Sequence, residues 1–266
     1  MNEQLPADAN STNDGRYRLI DAYRGITMIS MVLYHTCYDL FAAFGKDPGW
    51  VAEKSVFLWQ QSICISFILV SGMVWRFGRR RALKRGLILI AFGTAITLVT
   101  TAIMPDQAIH YGILTFIGIA TVFMIPLDKI PHKPKSGKNN PVLTELLHIV
   151  ICLVLFAVTK HLPNGYIGTR YHVLAGFPDA LYRHSYLAPL GLPASGFRSA
   201  DYFPLIPWMF MYLTGHHLGN ILFENETFIK LGRRKIPFLS WLGTKSLLVY
   251  IIHQPVCFGI VWLICR

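Results

Sequence analysis

The stretch RLIDAYRGITMISMVLYHTCYDLF, residues 18 to 41, constrains this chain more than any other. It is long enough to cross a bilayer, for which a helix needs about 20 mostly apolar residues. Yet it contains Asp21, Arg24, His35 and Asp39. Ionisable groups within a spanning helix are costly, and they face a protein interior or a wet cavity rather than lipid. Arg24, Met28, Met31, His35 and Asp39 follow one another in steps of four, three, four and four, which is one helical face. Asp21 lies one turn before Arg24 on nearly the same stripe. The helix therefore carries a charged pair near its start and a His–Asp pair near its far end. Two readings stand: polar glue between packed helices, or the working groups of a site.

The remainder repeats the apolar theme. Hydrophobic residues make up 53% of the chain and charged ones 15%, with a mean hydropathy of +0.42, the composition of a membrane protein. Apolar spans are predicted at 20–42, 55–75, 86–104, 111–127, 142–160, 204–222 and 238–264. The net charge of +11 would suit a nucleic-acid binder if it formed a soluble patch. Instead the basic residues gather on alternate connections: Arg16 and Arg18, then Arg76 to Arg85, then Lys129 to Lys138, then Lys230 to Lys235. Positive residues mark the cytoplasmic side, so the N-terminus is expected inside and the C-terminus outside, with no nucleic acid as partner. The expected fold is an all-α membrane protein, a polytopic bundle of about seven transmembrane helices with a long outer loop, set in the plasma (inner) membrane. Residues 1 to 15 read as a disordered cytoplasmic tail, residues 16–266 as a single domain, and the first span as a retained signal anchor. The segment KIPHKPKSGKNNP reads as a loop.

The outer loop, residues 161 to 203, is rich in Pro, Gly and aromatics. Such aromatics suit stacking on a sugar and equally suit an interfacial belt. Its part VLAGFPDALYRHSYLAPLGL is apolar enough to dip into the membrane, while Asp179, Arg183 and His184 argue against a full crossing. On the last span Ser246, Tyr250 and His253 share a face, with Gln254 beside them and Pro255 set to kink the helix. Asp201 precedes the sixth span at the expected level of His35 and His253, either as a helix cap or as a group that orients a histidine. His110 opens the fourth span. His216 and His217 lie within Gly215-x-x-x-Gly219, a spacing that favours close helix packing. The five cysteines show no paired metal spacing, and no metal is expected. The run WRFGRRRALKR is either a topology signal or a phosphate site.

Five ordered stretches resemble bacterial relatives of the heparan-alpha-glucosaminide N-acetyltransferase catalytic domain: RLIDAYRGITMISMVLYH, FILVSGMVWRFGRRRALKRGLILIAFGTAITLVT, HYGILTFIGIA, DYFPLIPWMFMYLTGHHLG and LSWLGTKSLLVYIIHQP. The opening is also similar to integral-membrane O-acyltransferases that begin RG-x(9)-H, here Arg24, Gly25 and His35. The lysosomal enzyme's H-x-x-W-N-G motif has no counterpart, since FGKDPGW stands there. The resemblance implies an acyltransferase moving an acetyl group from acetyl-CoA to a glycan or amino sugar at the outer face. On this reading His35 is the base, Asp39 or Asp201 holds its ring, and His253 binds or polarises the acyl group. Arg24, Arg81, Lys84 and Arg85 meet the donor. Membrane lipid, the acyl-CoA donor and the acceptor are the expected partners, and an oligomer is left open. A transporter or channel using the same intramembrane Arg, Asp and His residues is the alternative, though no inverted repeat accompanies it.

Overall fold

The computed structural model describes residues 16–129, 140–169 and 171–266. The expected disordered tail, and the expected loop between Lys129 and Asn140, lie outside the described residues. The rest is mainly helical: α1 (Arg18–Tyr38), α2 (Lys54–Met73), α3 (Trp75–Gly78), α4 (Ala82–Ile103), α5 (Ile113–Leu127), α6 (Pro141–Thr159), α7 (Leu205–Leu222), α8 (Glu226–Gly232), α9 (Pro237–Thr244) and α10 (Ser246–Cys265). Between α6 and α7 run short 3-10 turns and a two-stranded antiparallel hairpin, β1 (Tyr166–Gly168) and β2 (Val173–Gly176). No α-helix forms in that segment among the described residues, as its prolines and glycines require.

Among the described residues, five stretches are long and apolar enough to cross a membrane: Arg18–Ala43, Lys54–Met73, Trp75–Ile103, Pro141–Asn164 and Ser246–Cys265. The protein is thus a multi-pass membrane protein. The sequence predicts seven spans, and helices do form at the two remaining places. However, the 15 residues of α5 rise only about 22 Å, short of the roughly 30 Å hydrocarbon core. Helix α7 carries His216, His217 and Asn220, which dilute its hydropathy, and its regular turns begin only at Pro207 because Ile206 is extended. A second difference concerns the last span. Residues 238–264 are not one helix. The chain breaks at Lys245, and Gly25 faces Leu239 while Gly243 faces Asp21, so α9 runs antiparallel to α1. Helix α10, by contrast, runs alongside α1 in the same sense, with His253 near His35 and Phe258 near Phe44.

Burial shows which helices are central. Helix α7 buries ten residues, whereas α6 fully buries only Cys152, packs Phe156 on Trp208 and presents most of its other apolar side chains outward. The largest apolar core joins α2, α5 and α7 through Ile68, Phe116, Met124 and Tyr212. Gly215 and Gly219 lie directly against the backbone of Leu69 and Met73 on α2; a Cβ on Gly219 would stand 2.6 Å from the Met73 oxygen. The small-residue spacing is thus used for close approach, as membrane helices require when lipid offers no hydrophobic drive between them. A second core links α1 to α2 and α10, through Met28, Met31, Tyr34 and Ile63. The Trp59 indole ties these helices by donating to Ser30 Oγ at 2.8 Å.

Candidate functional site

The stripe read from α1 does turn inward. Met28 and Met31 are buried, His35 is half-buried, and Asp39 is 1% exposed. At Asp39 the helix widens into a π-helical turn, Asp39–Ala43, a feature that often accompanies functional sites. The turn opens after Asp39, which stays buried beside α10, and its Oδ1 accepts from Gln254 Nε2 at 2.9 Å. The neighbouring residue, His253, lies ring to ring with His35: the centroids are 4.7 Å apart and the planes meet at 65°. His253 Nδ1 is 2.7 Å from the Tyr250 carbonyl oxygen. A carbonyl only accepts, so Nδ1 carries the proton and Nε2 presents a lone pair.

Three polar atoms in this seam are buried without a hydrogen-bond partner among the described residues: His253 Nε2, Asp39 Oδ2 and Gln254 Oε1. Each such atom costs roughly 1–3 kcal/mol, so a packed interior rarely keeps three together. Thr36 and Cys257 close the seam on one side, with Oγ1 to Sγ at 3.4 Å. The sequence anticipates that His35 and His253 approach each other, and the structure brings them together. Neither aspartate is hydrogen-bonded to His35 among the described residues: Asp39 is held by Gln254, and Asp201 by the Ile113 amide.

Asp201 Oδ2 accepts from the Ile113 amide at 3.1 Å, so this residue caps the N-terminus of α5 from another part of the chain. Ser199 braces the same corner through the His110 amide and carbonyl, at 2.9 and 3.0 Å. Burial pushes the Asp201 carboxyl up to about 6, partly offset by the Ile113 bond. His110 thus contributes its backbone, with its ring near Phe197.

At the other end of α1, Arg24 pairs with Asp21 at 3.7 Å, and Arg16 reaches the same carboxylate at 2.6 Å. The basic mouth adjoins a cleft of about 340 Å³ lined by Trp75, Arg79, Arg80, Ile125 and Lys129. Arg79 is tied to Asp128 at 2.8 Å, and the Trp75 indole donates to the Thr121 carbonyl at 3.1 Å. Arg81, Lys84 and Arg85 are exposed and do not line this cleft, although the Arg85 guanidinium lies against Gly78 beside it. The run WRFGRRRALKR thus supplies Trp75, Arg79 and Arg80 to the lining, while Arg81, Lys84 and Arg85 stand outside it. Trp75 and Lys129 could have been suspected, because they flank the basic run and the end of the neighbouring span.

Sequence reasoning also missed Glu145 and His148, one turn apart on α6. His217 Nδ1 is 2.6 Å from Glu145 Oε2, and Asn220 Nδ2 donates to Glu145 Oε1 at 3.2 Å. The signal was the Glu-x-x-His spacing within an apolar span.

No curated protein and no solved structure matches the chain. Residues 16–255 match a family described as heparan-alpha-glucosaminide N-acetyltransferase, catalytic. That match covers nearly all the described residues, including both the seam and the basic cleft, and the chain belongs to this family.

Proposed function

We propose that this protein is a membrane acetyltransferase that moves an acetyl group from acetyl-CoA to a glycan or amino sugar at the outer face of the plasma (inner) membrane. The observation that carries the reading is the His35–His253 pair in a seam with three unsatisfied buried polar atoms. An acceptor amine or hydroxyl attacks a thioester poorly until a base takes its proton. His35 is the more accessible ring and takes that proton. His253, with its tautomer held by Tyr250, offers the Nε2 lone pair to the resulting imidazolium. A lone pair does not donate to an acyl oxygen, so this role replaces the polarising one expected from sequence. The proton then passes to the departing CoA thiolate, which balances the transfer. Asp39 and Gln254 set the polarity behind the pair. Asp201 supports the wall by capping α5.

The donor's phosphates fit the cleft of Arg79, Arg80 and Lys129, with Trp75 available to stack on a base. Arg24, Arg81, Lys84 and Arg85 serve as the surrounding positive field. In the topology that accompanies this reading, α5 and α7 complete seven crossings, with the N-terminus cytoplasmic and the C-terminus outside. A transporter would use similar intramembrane charges, but the family is named for a catalytic domain. The test is purified protein with isotope-labelled acetyl-CoA and membrane glycans, read by mass spectrometry. Label on an amino sugar or hydroxyl is expected; CoA release without any acetylated acceptor, or none at all, overturns the proposal.

A further inference from the structure

A second polar cluster lies away from the histidine seam, between α6 and α7. Glu145 and His148 are one turn apart on α6, and His217 reaches them from α7. One ligand atom from each residue lies within 4.8 Å of the others. The His148 and His217 rings are stacked, with centroids 4.8 Å apart and planes at 13°. His217 is buried, with its side chain 7% exposed, while the Glu145 side chain is 22% exposed, so the cluster is reachable at one edge. Asn220 holds the second carboxylate oxygen.

We propose that Glu145, His148 and His217 form a binding site for a divalent transition-metal ion of the zinc class. The donor set is two imidazoles and one carboxylate, which suits zinc and leaves a fourth position for water or the Asn220 amide oxygen. Tetrahedral ligands at about 2.0–2.1 Å from zinc stand roughly 3.4 Å from one another. A ligand atom of each residue lies within 4.8 Å of the others, and the Glu145–His217 contact is 2.6 Å, so the adjustment is side-chain motion of about 1 Å or less per ligand. One proton holds the short Glu145–His217 contact, and a cation replacing it would part those atoms by under 1 Å on the same geometry. Glu-x-x-His pairs from helices are a recurrent way of building metal sites inside bundles.

The location gives the ion a purpose. Helix α6 is mostly exposed and packs chiefly on α7. An ion ligated from both helices would clamp α6 to the central helix near the end at which α6 begins. The role is structural and independent of the acyltransfer proposal, because no residue of the seam or the basic cleft takes part.

The test uses the full chain purified in detergent, stripped with chelator and titrated with Zn²⁺ alone, followed by metal analysis after desalting. Cobalt substitution reports the ligand set through its visible absorption. One ion per chain is expected, with a higher melting temperature in its presence. His217→Ala should weaken binding at least a hundredfold. Should that variant misfold, His148→Gln and Glu145→Gln give milder perturbations, each expected to weaken binding at least tenfold and to alter the cobalt spectrum. His184→Ala, in the segment between α6 and α7, should bind as the parent does. Substoichiometric binding to the parent, or equal binding by parent and the cluster variants, overturns the proposal and leaves a carboxylate neutralised by hydrogen bonds.

Discussion

Asp201→Asn separates a capping role from a catalytic one, and the structure sets its size. The carboxyl accepts the Ile113 amide at 3.1 Å, while burial pushes its pKa from the ordinary 3.8 to about 6. At about 1.4 kcal/mol per pH unit, ionising it in the folded protein costs at most about 3 kcal/mol, and less where solvent reaches it. The sign follows from linkage: the folded state holds this proton more tightly than the unfolded state. Stability from Asp201 is therefore complete below about pH 4, lost as pH climbs from 4 to 6, and flat above. Asn keeps an oxygen for the Ile113 amide, caps helices about as well as Asp, and carries no charge to desolvate. At pH 8 Asp201→Asn should thus be more stable than the parent, by about 1–3 kcal/mol. For a chain of this size that is several degrees in melting temperature. Below pH 4 the two should converge. A thiol-reactive dye, which reports exposure of the buried Cys64, Cys152 and Cys257 on heating, provides the assay. Below pH 4, where no charge is desolvated, Asp201→Ala should cost about 1 kcal/mol through loss of the cap. An Asn variant less stable than the parent at pH 8, with an unchanged pH slope, refutes the reasoning. Full retention of acetyl transfer in the Asn variant would limit Asp201 to its cap.

His35→Gln should insert and fold but abolish acetyl transfer, and His253→Gln should lower it by about 10²–10³ without raising the KM for donor; labelled acetyl-CoA turnover checks both. Arg80→Gln combined with Lys129→Gln should weaken acetyl-CoA affinity about tenfold or more by removing two phosphate partners, measured by calorimetry, while Arg81→Gln should have a smaller effect. Reporter fusions after Gly137 and after Arg266 should report opposite sides of the membrane, and the same side for both would refute the seven-crossing topology.

Helix periodicity made the first helix legible. The steps from Arg24 to His35 describe one face, and Met28 and Met31 are buried on it. Asp39 stays on that inward side, buried and bonded to Gln254 of α10, and what periodicity does not foretell is the π-helical turn that begins there. The Gly215-x-x-x-Gly219 spacing was read correctly as a packing device because small residues act through backbone approach, a local property. The break at Lys245 was not legible. Residues 237–265 are mostly apolar, and the break between α9 and α10 goes with close contacts to Asp21 and Gly25 of a helix far away in sequence. Asp201 illustrates the same limit. Its cap lies 88 residues away in sequence, so a rule seeking the helix that directly follows assigns it wrongly. The partnership of Glu145 with His217 likewise joins two spans across 72 residues.

The energetics of the seam bear on why its polar groups are there at all. His253 Nε2, Asp39 Oδ2 and Gln254 Oε1 together cost several kcal/mol by the usual magnitude for buried unsatisfied groups, a large part of the 5–15 kcal/mol by which a typical fold is stable. Packing gains nothing from them: Met28, Met31, Tyr34 and Cys257 already bury apolar surface around the same seam. An apolar isostere at His253 or Gln254 would relieve the cost. Polar groups with this energetic debit are retained where a bound molecule satisfies them. An acceptor sugar is a ring of hydroxyl and amine groups, each able to donate to one lone pair and accept from one N–H. It therefore matches a half-buried histidine, a fixed imidazole lone pair, a carboxylate oxygen and an amide oxygen far better than a lipid chain or an inorganic cation would. By the same argument, acceptor binding should raise the stability of the parent and add little to that of a His253→Leu, Gln254→Leu double variant, a difference that thermal unfolding with and without an amino sugar reads directly.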